Sequence, residues 1–379
     1  MKKFIHFLSI SFLLWGFVSC KEAYLPPVVA AANNFLVVDG MIRANGDSTY
    51  IKLTRTRNLS DTTKEIPETG AQVSIVGTSS GTFVLSELGK GQYAAAPLNL
   101  DPRQTYRLKI QTKSGGLYLS DAVPVKITPP IDSVSWVRDS GLHIRVSTHD
   151  PLGETRYYRW QFSETWEYYS FFESILGFDP STNNLFFIKP EDSKHHCWTT
   201  LTSSAILLNT TKNLSEDKVE NFEIHQIPKS SDKVGEQYSI IVYQYALTKE
   251  AFEYWQLLKK NSTDLGSIFG TQPTEVISNI KCISNPNEPV IGFMSISALQ
   301  QKRIFIKRAE LSAWNPISPY KDVCKEIYTI VDSIGYYMGR NNSLVPAYNI
   351  TGGGVTLANK ICVDCTLKGG NTIKPSFWP

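Results

Sequence analysis

Short runs of alternating apolar and polar residues, separated by turn residues, recur along the chain from residue 35 and favour β structure. Residues 72–76 and 82–86 alternate on either side of a Gly-Thr-Ser-Ser-Gly turn, and residues 105–110 repeat the pattern. A period of two places every second side chain on one face of a strand. Strands at this spacing are typical of sandwiches. We therefore expect a mainly β chain in which residues 35–127 form an immunoglobulin-like β-sandwich.

The remainder of the chain divides into two further parts. The prolines at residues 129–130 interrupt any strand or helix, and a second, larger β-rich domain rich in Tyr and Trp is predicted over residues 131–308. One inserted helix is expected near residues 248–260, because Thr248 is a good N-cap and apolar side chains recur on one helix face. Residues 309–379 show little periodicity, which predicts an irregular, cysteine-bearing C-terminal segment packed on the second domain.

The first residues have the composition of an export signal. Two lysines precede an apolar run shorter than the roughly 20 residues that span a bilayer, and Ser19 stands directly before Cys20. This arrangement is typical of a bacterial lipobox, so residues 1–19 are predicted to be a lipoprotein signal peptide, Cys20 the lipidated residue and residues 20–34 a tether. Acyl chains such as palmitate would then hold the protein on a membrane. The alternatives are an ordinary signal peptide with an incidental cysteine, or a single N-terminal membrane helix.

The charge of the chain is nearly balanced. Its 38 Lys and Arg residues face 35 Asp and Glu residues, a formal net charge of +3. A nucleic-acid-binding surface or a polybasic membrane patch needs a clear excess of basic residues. We therefore expect no nucleic-acid partner, and we expect the lipid to be the membrane anchor.

Five cysteines follow Cys20, and in an exported chain they are expected to form disulfides. They are Cys197, Cys282, Cys324, Cys362 and Cys365. Five thiols allow two bridges and one free thiol, and the sequence leaves the pairing open. A redox pair or half a zinc site is the alternative for residues 362–365, but no helix signal follows them and no second ligand pair is evident.

Three short motifs could carry chemistry, and each has a simpler interpretation. Residues 77–81 match the G-x-S-x-G pattern, but they lie between two alternating strands where Gly and Ser are turn residues. Residues 195–197, His-His-Cys, are neighbours whose side chains point to opposite faces of an extended chain. The glycines at residues 352–354 lack the Lys and Ser/Thr of a phosphate loop. We predict no catalytic residue, no cofactor and no metal.

An aromatic stretch over residues 160–172 holds two carboxylates, Glu164 and Glu167, on either side of Trp166. Aromatic strands produce this pattern in a core or between domains. The alternatives are a surface that binds a ligand or partner, and a sugar subsite with paired acids that hydrolyses its substrate.

Several stretches in order resemble the Bacteroidota lipoprotein family catalogued as domain of unknown function 4249. The matching segments are residues 36–40, 70–73, 91–93, 129–133, 243–245, 266–269, 272–273, 362–365 and 375–378. The likeness is expected over nearly the whole mature chain. It implies an outer-membrane lipoprotein, often encoded beside a TonB-dependent receptor, and it transfers no catalytic residue.

Together these observations predict a non-enzymatic lipoprotein of the cell envelope, anchored in the outer membrane and facing the periplasm or the cell surface. It would act as an accessory or ligand-capture subunit of a TonB-dependent uptake system, with the aromatic-rich second region as the contact surface. The alternatives are a structural or adhesive envelope protein, and a hydrolase that uses Glu164 and Glu167.

Overall fold

The computed structural model describes residues 34–57, 65–79, 81–264, 277–340, 343–350 and 353–379. The strands are β1 (Leu36–Arg43), β2 (Thr49–Arg55), β3 (Ile66–Pro67), β4 (Gln72–Gly77), β5 (Thr82–Gly89), β6 (Gln92–Ala95), β7 (Thr105–Gln111), β8 (Leu117–Ser120), β9 (Val123–Lys126), β10 (Ile131–Arg138), β11 (Gly141–His149), β12 (Tyr157–Tyr169), β13 (Leu176–Asp179), β14 (Asn184–Phe187), β15 (His196–Thr202), β16 (Leu207–Thr210), β17 (Lys218–Pro228), β18 (Gln237–Ala246), β19 (Ile280–Cys282), β20 (Ile296–Ser297), β21 (Gln300–Lys307), β22 (Ile327–Ile330), β23 (Leu344–Ile350) and β24 (Gly354–Asn359). The helices are α1 (Lys249–Asp264), α2 (Ile334–Arg340) and α3 (Lys360–Val363). The prediction of a mainly β chain is confirmed.

Alternation builds the first sheet. In β7, Tyr106, Leu108 and Ile110 are buried while Arg107 and Lys109 between them are exposed. The sheet has 11 strands, and its path runs β19-β8-β7-β4-β5-β6-β2-β1-β20-β9, with β3 on β2. Because β9 also pairs with β7, the path closes on itself around one apolar core. The first region is thus one continuous closed sheet and not the two separate sheets of an immunoglobulin-like sandwich.

Two strands of this first sheet come from far along the chain. The sequence interpretation grouped β19 and β20 with residues 131–308, but β19 extends the sheet beyond β8. β20 lies between β1 and β9 and is parallel to both, with Ile296 opposite Ile42 and Val125. Strands of two or three residues are too short to show a hydrophobic period. The sequence pattern therefore does not reveal that the chain comes back to the first sheet at β19 and β20.

The second region is a sandwich of two sheets. One sheet has the order β10-β11-β17, and the other has the order β15-β12-β18-β21 with β16 also paired to β12. Their facing sides enclose a core that includes the fully buried Tyr158, Trp160 and Ile240. The aromatic alternation of the sequence therefore reflects packing between these sheets.

The helix expected near residues 248–260 is observed as α1. The Thr248 hydroxyl accepts from the amide of Ala251 at 3.2 Å, and Phe252 and Leu247 are buried together beside it. Their cluster includes Met41 of the first sheet, so α1 packs where the two sheet systems meet.

Residues 309–379 are more regular than their sequence indicates. They form a sheet of order β22-β24-β23 and the helices α2 and α3, and the hairpin of β13 and β14 packs on them. Two features hide this sheet from a periodicity reading. A register shift interrupts β23 between Pro346 and Tyr348, and residues 355–358 of β24 are all buried.

The predicted disulfides are confirmed, and the structure settles their pairing. Cys197 is bonded to Cys365, and Cys324 to Cys362, while Cys282 is a buried free thiol. The two cysteines of residues 362–365 thus belong to different bridges, and they are not a redox pair with each other.

Several predicted features lie outside the described residues. These are the signal peptide, Cys20, most of the tether, and the family segments at residues 266–269 and 272–273. Among the residues that the structure describes, no helix has both the length and the apolar character needed to cross a bilayer.

Candidate ligand-binding cleft

Strand β12 separates two carboxylates that are close in sequence. Glu164 and Glu167 are an odd number of positions apart, so their side chains leave opposite faces of the strand. Glu164 is buried between the two sheets, while Glu167 lies on the outer face opposite Trp198 of β15. Paired-acid hydrolysis needs both carboxylates at one site, and the structure does not bring these two together.

On the inner face, Glu164 is held by three polar groups. Lys233 Nζ is 2.5 Å from one carboxylate oxygen; the Tyr238 hydroxyl donates to the other at 3.0 Å, and His225 Nε2 lies 3.2 Å from it. Burial alone would raise the pKa of Glu164, but His225 and Lys233 more than offset it, and the pKa lies below its ordinary value. Glu164 is therefore a paired, ionised group inside the sandwich.

On the outer face, Glu167 belongs to a group of aromatic rings. Its carboxylate is 2.7 Å from His196 Nε2 and accepts from the Trp378 indole at 3.4 Å. The His196 ring stacks on Tyr169 with centroids 4.5 Å apart and lies 4.2 Å from the ring of Trp198. We call Tyr169, His196 and Trp198 the ring cluster. Its members alternate along two paired strands, so their side chains emerge on the same face.

The ring cluster lines one wall of a cleft of ≈ 660 Å³, which we call the aromatic cleft. The other walls come from the 188–193 segment and from residues 372–373. Glu173 and Glu191 add carboxylates to the lining, and His195 adds a second imidazole. A cleft of this volume, with rings and a few polar groups, has the size and composition of a small-ligand site.

A disulfide and two backbone hydrogen bonds hold the wall at residues 372–373 against the ring cluster. Cys197, which stands between the two ring residues of β15 in sequence, is bonded to Cys365. Trp198 and Asn371 exchange two backbone hydrogen bonds of 2.9 Å. A side chain at Gly370 would collide with Cys197, so the close approach of the chain requires glycine there. The cleft is thus held in shape without a ligand.

His195 enters the cleft as a neutral group. Burial lowers its pKa, and the nearby Glu173 opposes this only in part. The Ser170 hydroxyl donates to a backbone carbonyl, so it accepts from His195 Nδ1 at 2.7 Å. This hydrogen bond places the proton on Nδ1 and leaves Nε2 as the acceptor nitrogen.

The other residues considered from sequence do not form a catalytic or metal site. His195 and His196 both line the cleft, but Cys197 is consumed in a disulfide. Gly77 ends β4, and residues 78, 79 and 81 lie in the connection to β5, without a strand-to-helix elbow. Within the described ranges, no group of three or more His, Cys, Asp or Glu side chains is placed to hold a metal ion.

Sequence reasoning located the ring cluster in part and missed the walls opposite it. The aromatic stretch at residues 160–172 contains Tyr169, but Ile188 and Ile373 reach the cleft from distant parts of the chain. Knowledge that Cys197 pairs with Cys365 would have brought the C-terminal residues to β15. Composition and spacing did not specify this pairing.

Comparison with solved structures gives a likeness to the adhesin InvE of Yersinia pseudotuberculosis. The identity is 13%, the TM-score is 0.15, and the match covers 57% of this chain and 55% of that chain. The chain thus spans about half the length of this neighbour. No curated protein matches the chain.

Comparison with family models gives one match, over residues 21–303. The likeness expected over nearly the whole mature chain is therefore found over the first sheet and most of the second sandwich, and residues 372–373 of the aromatic cleft lie beyond it. Because the match covers well over half of the chain, the protein belongs to the family described as domain of unknown function (DUF4249).

Proposed function

We propose that this protein is a non-enzymatic ligand-capture lipoprotein, in which the aromatic cleft binds a small ligand for a TonB-dependent uptake system. The observation that carries the proposal is the half-exposed stack of Tyr169 on His196 at the edge of a preformed cleft. Exposed ring faces bind planar or sugar-like ligands, and a preformed site avoids the cost of ordering on binding.

Anchoring is the second part of the proposal. Cys20 follows an apolar run in the arrangement of a lipobox, and lipid on this residue would keep the cleft close to the membrane. The lipobox supports attachment to a membrane, and the family resemblance supports the outer membrane of a member of the Bacteroidota as the location. The proposal that a TonB-dependent receptor is the partner rests on the family resemblance alone.

The separation of Glu164 and Glu167 supports a binding role over hydrolysis. Glu164 is held by Lys233 and Tyr238 inside the sandwich. Glu167 is engaged by His196 and Trp378. Neither carboxylate is poised as a free acid or base.

A structural or adhesive role is the second candidate, and exposed apolar side chains favour it. Phe186, Phe187 and Ile373 are 53%, 71% and 73% exposed, and they lie on or beside the elements that surround the aromatic cleft. Large exposed apolar groups mark contact surfaces. Adhesion would not require a receptor partner.

Purification of the tagged protein from native outer membranes in mild detergent tests the uptake role. We expect a near-stoichiometric TonB-dependent receptor to be retained, as identified by mass spectrometry. A Cys20→Ala variant should lose its palmitate label and leave the membrane fraction. Recovery of the anchored protein alone would favour adhesion.

A single substitution tests the cleft itself. Tyr169→Ala removes one stacking ring and should weaken ligand capture about two- to tenfold, measured as growth on the nutrient that a deletion strain can no longer use. Tyr50→Ala is the matched control, because Tyr50 is also 44% exposed but lies in the first sheet. Equal growth of both variants would exclude the aromatic cleft as the capture site.

A further inference from the structure

A second cleft of ≈ 340 Å³ lies beside the aromatic cleft and has a different character. The two share Ser174 and Ile188. The second cleft lies between the hairpin of β13 and β14 and the C-terminal sheet. Its floor is apolar, formed by Leu176, Phe178, Ile188, Met338, Val345 and Val363. We call it the apolar cleft.

The floor is rigid because the hairpin is tied to the C-terminal sheet. The Ile175 amide donates to the Ala347 carbonyl at 2.8 Å, and the Ser174 hydroxyl donates to the Pro346 carbonyl at 2.9 Å. Leu176 is buried in the cluster that joins the two elements. The cleft is therefore a fixed feature of the fold.

One pair of charges on the rim is already satisfied. Lys194 Nζ lies 3.3 Å from one Asp364 oxygen, and the other oxygen accepts from the amide and hydroxyl of Thr366. These groups neutralise one another, so they do not select a charged ligand.

Two further charged side chains lie on the rim. Lys360, the first residue of α3, and Asp192, which ends a short 3₁₀ turn, both line the apolar cleft. Within the part of the chain that the structure describes, neither side chain has an ion-pair or hydrogen-bond partner. An apolar floor thus lies beneath one free cation and one free anion.

We propose that the apolar cleft binds a short apolar peptide with free termini. The peptide ammonium pairs with Asp192, its carboxylate pairs with Lys360, and its side chains occupy the floor. A fatty acid would satisfy Lys360 but leave Asp192 without a partner. The cleft volume is at the small end of ligand sites, which suits a dipeptide or tripeptide. The proposal is independent of the function assigned to the aromatic cleft.

Calorimetric titration with the dipeptide Leu-Leu tests the proposal. Peptides with a blocked amino or carboxyl terminus show which terminus each charged residue binds. Asp192→Asn should weaken Leu-Leu about two- to fivefold, the range of an exposed ion pair, and should leave N-acetyl-Leu-Leu unaffected. Lys360→Gln should weaken Leu-Leu similarly and leave Leu-Leu-amide unaffected. Gly-Gly should bind more than tenfold more weakly than Leu-Leu, because it buries no side chain.

Matched controls distinguish the cleft from a general charge effect. Asp139→Asn removes an exposed carboxylate of the second sandwich, and Lys229→Gln removes an exposed lysine of the same sandwich; neither residue lines the apolar or the aromatic cleft. Both should bind Leu-Leu as the wild type does. Loss of Leu-Leu binding in both controls, or no detectable binding of Leu-Leu to the wild type at millimolar concentration, would overturn the proposal. Binding of dodecanoate that depends on Lys360 alone, with no response to Asp192→Asn by any peptide, would overturn it in favour of an anionic amphiphile.

Discussion

Glu164 shows at the residue scale how this chain maintains a charge inside a sandwich. Its carboxylate is buried, and Lys233, His225 and Tyr238 surround it. Removing one member of such a cluster leaves another without its partner, and this costs more than the cluster itself contributes.

We predict that Glu164→Gln lowers the free energy of unfolding by about 2–3 kcal/mol, because Lys233 loses its counter-charge in a partly buried position. Urea denaturation at neutral pH measures the change. Glu223→Gln is the control, since Glu223 pairs with His143 at the surface and its side chain is 44% exposed. That pair should contribute less than about 1 kcal/mol. Equal effects of the two variants would contradict the prediction.

The Glu164→Gln variant also tests how the stability contributed by Glu164 depends on pH. The pKa of folded Glu164 lies below its ordinary value of 4.5. The stability that its charge contributes is therefore fully present above that value and is lost as the pH falls through the folded pKa. The stability difference between the wild type and Glu164→Gln should shrink between about pH 6 and about pH 3. A constant difference over this range would show that the ionised form of Glu164 is not what stabilises the fold.

At the scale of elements, a strand could be predicted from the sequence only where its alternation of apolar and polar residues extends over several residues. β7 and β12 run for 7 and 13 residues, and their alternation was readable. β20 has 2 residues, and the four consecutive buried residues of β24 read neither as a strand nor as a helix. The aromatic cleft followed the same rule, because the ring cluster lies on long strands while the walls at residues 188–193 and 372–373 are loops.

The Cys197–Cys365 disulfide joins the C-terminal residues to the edge strand β15, and its removal should loosen the wall that it fixes. We predict that Cys197→Ser combined with Cys365→Ser lowers the free energy of unfolding by about 2–5 kcal/mol. Amide exchange of Trp198 and Asn371 should also accelerate, because their mutual hydrogen bonds lose the adjacent constraint. Hydrogen exchange with mass spectrometry measures both sites.

The second disulfide provides the control for this effect. Cys324→Ser combined with Cys362→Ser opens a bridge in which neither cysteine belongs to β15. It should destabilise the C-terminal sheet while Trp198 and Asn371 keep slow exchange. If both double variants changed the exchange of Trp198 to the same extent, the C-terminal part would respond as one unit and the local role of Cys365 would be wrong.

At the scale of the whole molecule, the two sheet systems are interleaved and do not simply follow one another. The chain leaves the first sheet after β9, builds most of the second sandwich, and then returns to supply β19 and β20. Between the two systems, the buried Arg159 lies 3.7 Å from the ring of Trp255 on α1, and burial lowers its pKa to about 10. The first sheet is therefore complete only when most of the chain has been made.

This path predicts that residues 34–130 do not fold alone. The returning segment contributes Ile280, Met294 and Ile296 to the first core, where each is at most 2% exposed. At about 1.5–3 kcal/mol for each buried side chain, their absence removes an amount of stabilising free energy comparable with the whole stability of a domain.

The fragment should lack a cooperative thermal transition by circular dichroism, and addition of a peptide of residues 278–299 should restore one. A peptide carrying Gly292→Ala should fail, because Gly292 has φ +134° and a Cβ there would collide with the carbonyl of Val38. Cooperative unfolding of the fragment without any peptide would show that the first sheet is an independent domain.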